Sequence, residues 1–141
     1  MPLSPKLLAM IEKAKKEKFE EMERVQRYEN EVKEKAVNSI KAILIHGLGK
    51  KLWKELESSE AEIKLDQEKV SVELAVRAGD TTLTITATPN ETMEGKVKVS
   101  ISIHENNELS FSPEARYISN DENSEGSLKD PVLLAFSRLE S

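Results

Sequence analysis

The chain predicts an α+β protein with a long N-terminal helix, a short second helix, an antiparallel meander of three to four strands and a short C-terminal helix. Three observations carry this. Residues Lys6 to about Ile45 contain neither glycine nor proline, the spacing of apolar residues switches from 3.6 to 2 beyond residue 61, and a helix-start signature returns at Asp130-Pro131.

The first helix begins at Ser4-Pro5, an N-cap followed by a proline whose missing N–H costs nothing at the first helical position. Five glutamates sit four residues ahead of a base, as Glu12/Lys16, Glu20/Arg24, Glu23/Arg27, Glu29/Lys33 and Glu31/Lys35. Each such pair adds a few tenths of a kcal/mol to an exposed helix. Forty residues at 1.5 Å each make a rod of roughly 60 Å, longer than a small sheet can cover.

Apolar residues along the rod are sparse but regular. Leu8 and Ile11 come first, then Met22, Val25, Val32, Ala36, Ile40 and Ile43, in steps of three, four and seven. Lys15, Lys18 and Glu29 occupy positions where the seam expects apolar residues, so local or antiparallel helix pairing is favoured over a long regular coiled coil. A second reading packs residues 32 to 56 on the chain's own domain and leaves a free N-terminal arm.

Apolar density rises at Ala42, Ile43, Leu44, Ile45, Leu48, Leu52, Trp53 and Leu56, around Gly47 and Gly49. The Gly-Leu-Gly should end the first helix, and a second should run over residues 50–57. Alternation then marks strands at Ile63-Leu65, Val70-Val76, Leu83-Ala87 and Val97-Ile103. Turn signals lie at Asp66-Gln67, Ala78-Gly79-Asp80 and Pro89-Asn90. The opposite face of these strands is polar, notably Thr82, Thr84, Thr86 and Thr88, so one face of the sheet should meet water. Leu109-Phe111 and Tyr117-Ile118 are candidate edge strands. An acidic, mobile loop is expected over 119–129, and a helix over 131–140 should close on the sheet through Val132, Leu133, Phe136 and Leu139. The expected division is an extended helical arm, 1–45, and a small α+β domain, 46–141, whose sheet covers about 61–119.

Composition excludes several chemistries. Absence of cysteine removes disulfide scaffolds, thiolate metal sites and thiol nucleophiles. Leu, Ile, Val and Phe make up about a quarter of the chain, above the roughly 20% floor for a folded protein. With six aromatics and 33% charged residues, the core should be small and aliphatic. The chain opens without a basic stretch leading into an apolar run and holds no apolar segment near the ~18 residues of a membrane span, so a soluble, cytoplasmic setting is expected. Net charge is -5 overall, but residues 1–60 sum to +2 and residues 61–141 to -7.

No motif fixes a reaction. The two histidines, His46 and His104, lie in different elements; His104-Glu105 with Asp66 or Asp80 has no metal-ligand spacing, so neither a metal nor a cofactor is expected. No nucleophile elbow is present. Gly47-Leu48-Gly49-Lys50-Lys51 lacks the first glycine and the hydroxyl residue of a phosphate-binding loop. Lys41, His46, Lys50, Lys51 and Lys54 surround Trp53, which could hold phosphate and stack a base; the helical stripe Leu48, Leu52, Trp53, Leu56 makes the indole a core anchor instead. The order of elements is shared by nucleoid-associated proteins, double-stranded RNA-binding domains and acidic chaperones, so topology alone selects no function. The RNA module's basic helix start is missing, because the last helix opens on Asp130-Pro131 and carries only Arg138.

The reading that follows is a non-catalytic assembly or adaptor protein. It self-associates through Met22, Val25, Val32, Ala36, Ile40 and Ile43 and presents its acidic domain to another protein. The alternative is a nucleic-acid-associated regulator using Lys41, His46, Lys50, Lys51, Trp53 and Lys54, and an uncharacterised enzyme comes third.

Overall fold

The computed structural model describes residues 3–59, 61–90 and 95–139. Helix α1 (Pro5–Leu48) starts as expected, with the Ser4 hydroxyl accepting a hydrogen bond from the Leu7 amide at 3.2 Å. It continues through Gly47 and stops at Gly49, whose φ of 88° breaks the helical run before α2 (Lys50–Ser58). Of the five expected ion pairs, only Glu23–Arg27 comes within 4.0 Å among the described residues. Exposed pairs of this kind contribute little in any case.

Six strands form one antiparallel sheet, the expected four-strand meander with both candidate edge strands joined to it. The meander β1 (Glu62–Asp66), β2 (Ser71–Ala78), β3 (Thr81–Pro89) and β4 (Val97–Glu105) is extended by β5 (Glu108–Phe111) and β6 (Arg116–Ile118), which pair with opposite halves of β4. The β4–β5 hairpin turns on Asn106 and Asn107, with φ of 52° and 66°, values at which asparagine is among the least strained non-glycine residues. The β2–β3 turn uses Gly79 and Asp80. In the β1–β2 turn the Asp66 carboxylate accepts the amides of Glu68 and Lys69, each at 3.1 Å. That turn ends on Val70 at φ 51°, strained for a β-branched residue and held by packing against the core.

Register places Val72, Leu74, Leu83, Ile85, Val99, Ile101 and Ile103 on one face, all buried. Against them lie Val37, Ile40, Leu44 and Leu48 of α1, Trp53 and Leu56 of α2, and Leu128, Val132 and Ala135 at the C-terminal end. The core therefore takes its helical wall from α1 well before residue 45. The expected boundary of the arm moves back accordingly: from Pro5 to Val32 every residue except Ile11 is exposed, and burial begins at Val37. The other sheet face carries Thr82, Thr84, Thr86, Ser100 and Ser102, all half-buried.

At the C-terminal end the 119–129 segment bonds back to α1: the amides of Gly126 and Leu128 donate to the carbonyls of His46 and Gly47, at 3.0 and 2.8 Å. These carbonyls end α1 and lack helical partners, so the loop supplies the donors. A 3-10 turn (Glu122–Ser124) capped by Asp121 shapes it. Helix α3 (Lys129–Ser137) consequently starts earlier than Asp130, with Leu128 as N-cap and Asp130 and Pro131 in its first turn. Leu128 and Ala135 join Val132 in the core, whereas Leu133 is 44% exposed. Glu140, the expected helix end, lies outside the described residues.

Gly47 is where α1 meets this returning segment. A Cβ there would stand 2.7 Å from Ile118 Cδ1 and 2.9 Å from Leu128 Cδ1, both on buried side chains. Gly47→Ala should therefore lower stability by about 1–2 kcal/mol in denaturant unfolding, overpacking outweighing the gain in helix propensity. Side-chain hydrogen bonds with Ser124 and then Ser119 hold the Asp121 carboxyl below the usual carboxylate range. A depressed folded pKa stabilises the folded state above the unfolded value, and the contribution is lost as pH falls through the folded value. Acidification below about pH 4 should lower amide protection at Gly126 and Leu128 before the sheet opens, and Asp121→Ala should abolish that early step.

Candidate functional site

The exposed part of α1 carries a row of apolar side chains in water. Met22 is 63% exposed, Val25 53% and Val32 48%, although their spacing is that of a packed seam. They share a face with Lys18, Glu21, Gln26 and Glu29, which line a shallow groove around Met22 and Val25. Phe19 and Tyr28, both exposed, flank the seam on either side. Neither was singled out by the heptad pattern, since both fall one step outside its apolar positions. The remaining predicted seam residues are placed differently. Ala36 is half-buried at the base of the arm. Ile40 is buried in the chain's own core, and Ile43 packs partly against that core. Ile40 is therefore withdrawn as an intermolecular contact, because its helical position faces the sheet once α1 crosses it.

The basic and aromatic cluster is divided. Trp53 is only 5% exposed, its indole N–H donates to the Glu57 carboxylate, and Lys41 Nζ stands 5.9 Å from the ring centroid. The indole thus serves as a core anchor with a cation over its ring, and the ring is withdrawn as a stacking platform for a base. The His46 ring donates from Nε2 to the Asp121 carbonyl at 2.6 Å, tying α1 to the capping loop. Lys50 lies beside His46, near Asn120 and Glu125, whereas Lys51 and Lys54 border a different groove with Lys129 and Leu133. Gly49 forms no anion cradle, since its amide is bonded to the Ile45 carbonyl at 2.9 Å.

The residues considered for a metal do not converge. Asp66 ends β1 and Asp80 lies in the β2–β3 turn, at opposite ends of β2, His104 lies beside Thr82 on the polar sheet face, and no group of three metal-ligating side chains occurs among the described residues. A cleft of about 490 Å³ opens between the β5–β6 connection and α3. Phe111, Pro113, Pro131 and Leu134 give it a mostly apolar wall, with Glu114 and Arg116 at its side. Arg138 stacks 3.8 Å over the Phe111 ring nearby. No buried side-chain nitrogen or oxygen lacks a hydrogen-bond partner among the described residues.

No helix among these residues is long and apolar enough to cross a membrane. Compared with protein-family models, curated proteins and solved structures, the chain matches none of them.

The two roles considered for Trp53 separate by mutation. Trp53→Ala should cost about 3–5 kcal/mol of stability, as expected of a large core side chain. Lys51→Ala and Lys54→Ala should stay within about 0.5 kcal/mol of the parent in the same denaturant titration.

Proposed function

We propose that this chain is a non-catalytic assembly or adaptor protein that associates with itself through the exposed stretch of α1 and presents its sheet domain to another protein. One observation carries the reading: Met22, Val25 and Val32 keep the spacing of a packed seam while remaining 63%, 53% and 48% exposed. Apolar surface left in water forfeits roughly 25 cal/mol for each Å² that could be buried. An isolated helix is also only marginally stable in water, so a projecting rod gains from a partner along its length. The charge of -7 over residues 61–141 and the polar, threonine-rich sheet face support a role for the domain as the presented surface. A cytoplasmic setting is part of the same proposal. Nucleic-acid binding has less support, because the aromatic ring it would use is buried.

Light scattering on a sizing column at two concentrations tests this. The untagged protein should run as a dimer or larger species, and Met22→Asp with Val25→Asp should convert it to a monomer with an unchanged sheet signature in circular dichroism. A monomeric parent, or an unchanged mass in the double variant, overturns the proposal.

A further inference from the structure

The heptad frame that places Met22 and Val25 at facing positions also places three charges in the seam: Lys15, Lys18 and Glu29. In a parallel, in-register pair each would meet its own copy, lysine against lysine and glutamate against glutamate, close to the desolvated centre. In an antiparallel pair the same residues meet different partners. With Met22 opposite Val25 of a second copy, Lys18 falls opposite Glu29 of that copy, and by two-fold symmetry the same pair forms again on the other side.

The next layers of this register place Lys15 opposite Val32, where an aliphatic stem can lie along the valine with its ammonium in water, and Ile11 opposite Ala36. At the flank, Glu12 falls beside Lys33. All of these residues lie on the continuous α1 helix, and Lys18, Met22, Val25 and Glu29 share one exposed groove. The apolar layers of this register between Ile11 and Ala36 lie ahead of the domain's buried face, which begins at Val37.

We infer that the occupant of this face is a second copy of the chain, lying antiparallel, with the two-fold axis between Glu23 and Arg24 and the Lys18–Glu29 pair setting the register. This inference rests on the self-association proposed above and adds its direction and alignment. The charges that interrupt the seam thus select antiparallel over parallel pairing, since only one of the two arrangements brings opposite signs together. The two domains would then lie at opposite ends of a shared rod.

Because the chain has no cysteine, single replacements report on geometry directly. Met22→Cys and Val25→Cys variants of the full chain are oxidised separately and as an equimolar mixture, and the products are identified by intact mass. The expected result is a mixed disulfide between the two variants and little homodisulfide from either alone. Homodisulfides of each variant, or no cross-link while light scattering still reports a dimer, overturn the antiparallel register and leave self-association standing. A monomer by light scattering removes the underlying reading itself. In a second arm, Lys18→Glu and Glu29→Lys should each weaken the dimer by about tenfold, since each change affects two pairs per dimer, and the double variant should restore it. Failure of the double variant to restore association also overturns the register.

Discussion

The structure depends on the burial of one face of α1 against one face of the sheet. Val37, Ile40, Leu44 and Leu48 are each no more than 4% exposed, and they cover the apolar side of β2, β3 and β4. With six aromatics in the chain and only one, Trp53, fully in the core, aliphatic packing along this single contact holds helix and sheet together. The later segments organise around it: α2 turns back at Gly49, and the segment before α3 is anchored by the last carbonyls of α1.

Gly47 shows how tightly this is constrained. It lies in a helix, where glycine is unfavourable, yet its missing side chain lets Ile118 and Leu128 close over the helix from two distant parts of the chain. The same place uses the otherwise unpaired helix-end carbonyls to bind the 119–128 segment. An acidic, polar stretch is thereby ordered by hydrogen bonds to backbone, where its own side chains could not have built a core.

Helix α1 thus has two energetic environments in one uninterrupted element. From Val37 onward it packs on the domain, and the stretch before that stands in water with a seam of similar spacing. The proposed self-association and its antiparallel register follow from that mismatch, and they assign the seam's lysines and glutamate a role that defects in a heptad would lack. The sheet's threonine-rich face and the net negative charge of the domain would then lie away from the pairing helix.

Local pattern determined much of this architecture. Ser4-Pro5 marked the first helix, Gly49 the break before the second, and period-two alternation the four meander strands and their buried faces, because capping, positive φ and side-chain alternation act over a few residues. The existence of an exposed-looking seam at Met22, Val25 and Val32 was legible for the same reason. Tertiary structure alone decided where that seam ends. Ile40 continues the helical spacing of Val32 and Ala36, and nothing in its neighbours says whether it meets another chain or its own sheet. Trp53 sits among lysines that suggest a binding face, yet the helical stripe Leu48, Leu52, Trp53 and Leu56 already marked its ring as a core anchor, and packing agrees. The C-terminal helix was legible to within two or three residues at each end, but not the hydrogen bonds that tie the segment before it to His46 and Gly47, some eighty residues earlier in the chain. Long-range pairing of this kind leaves no periodic trace in either partner.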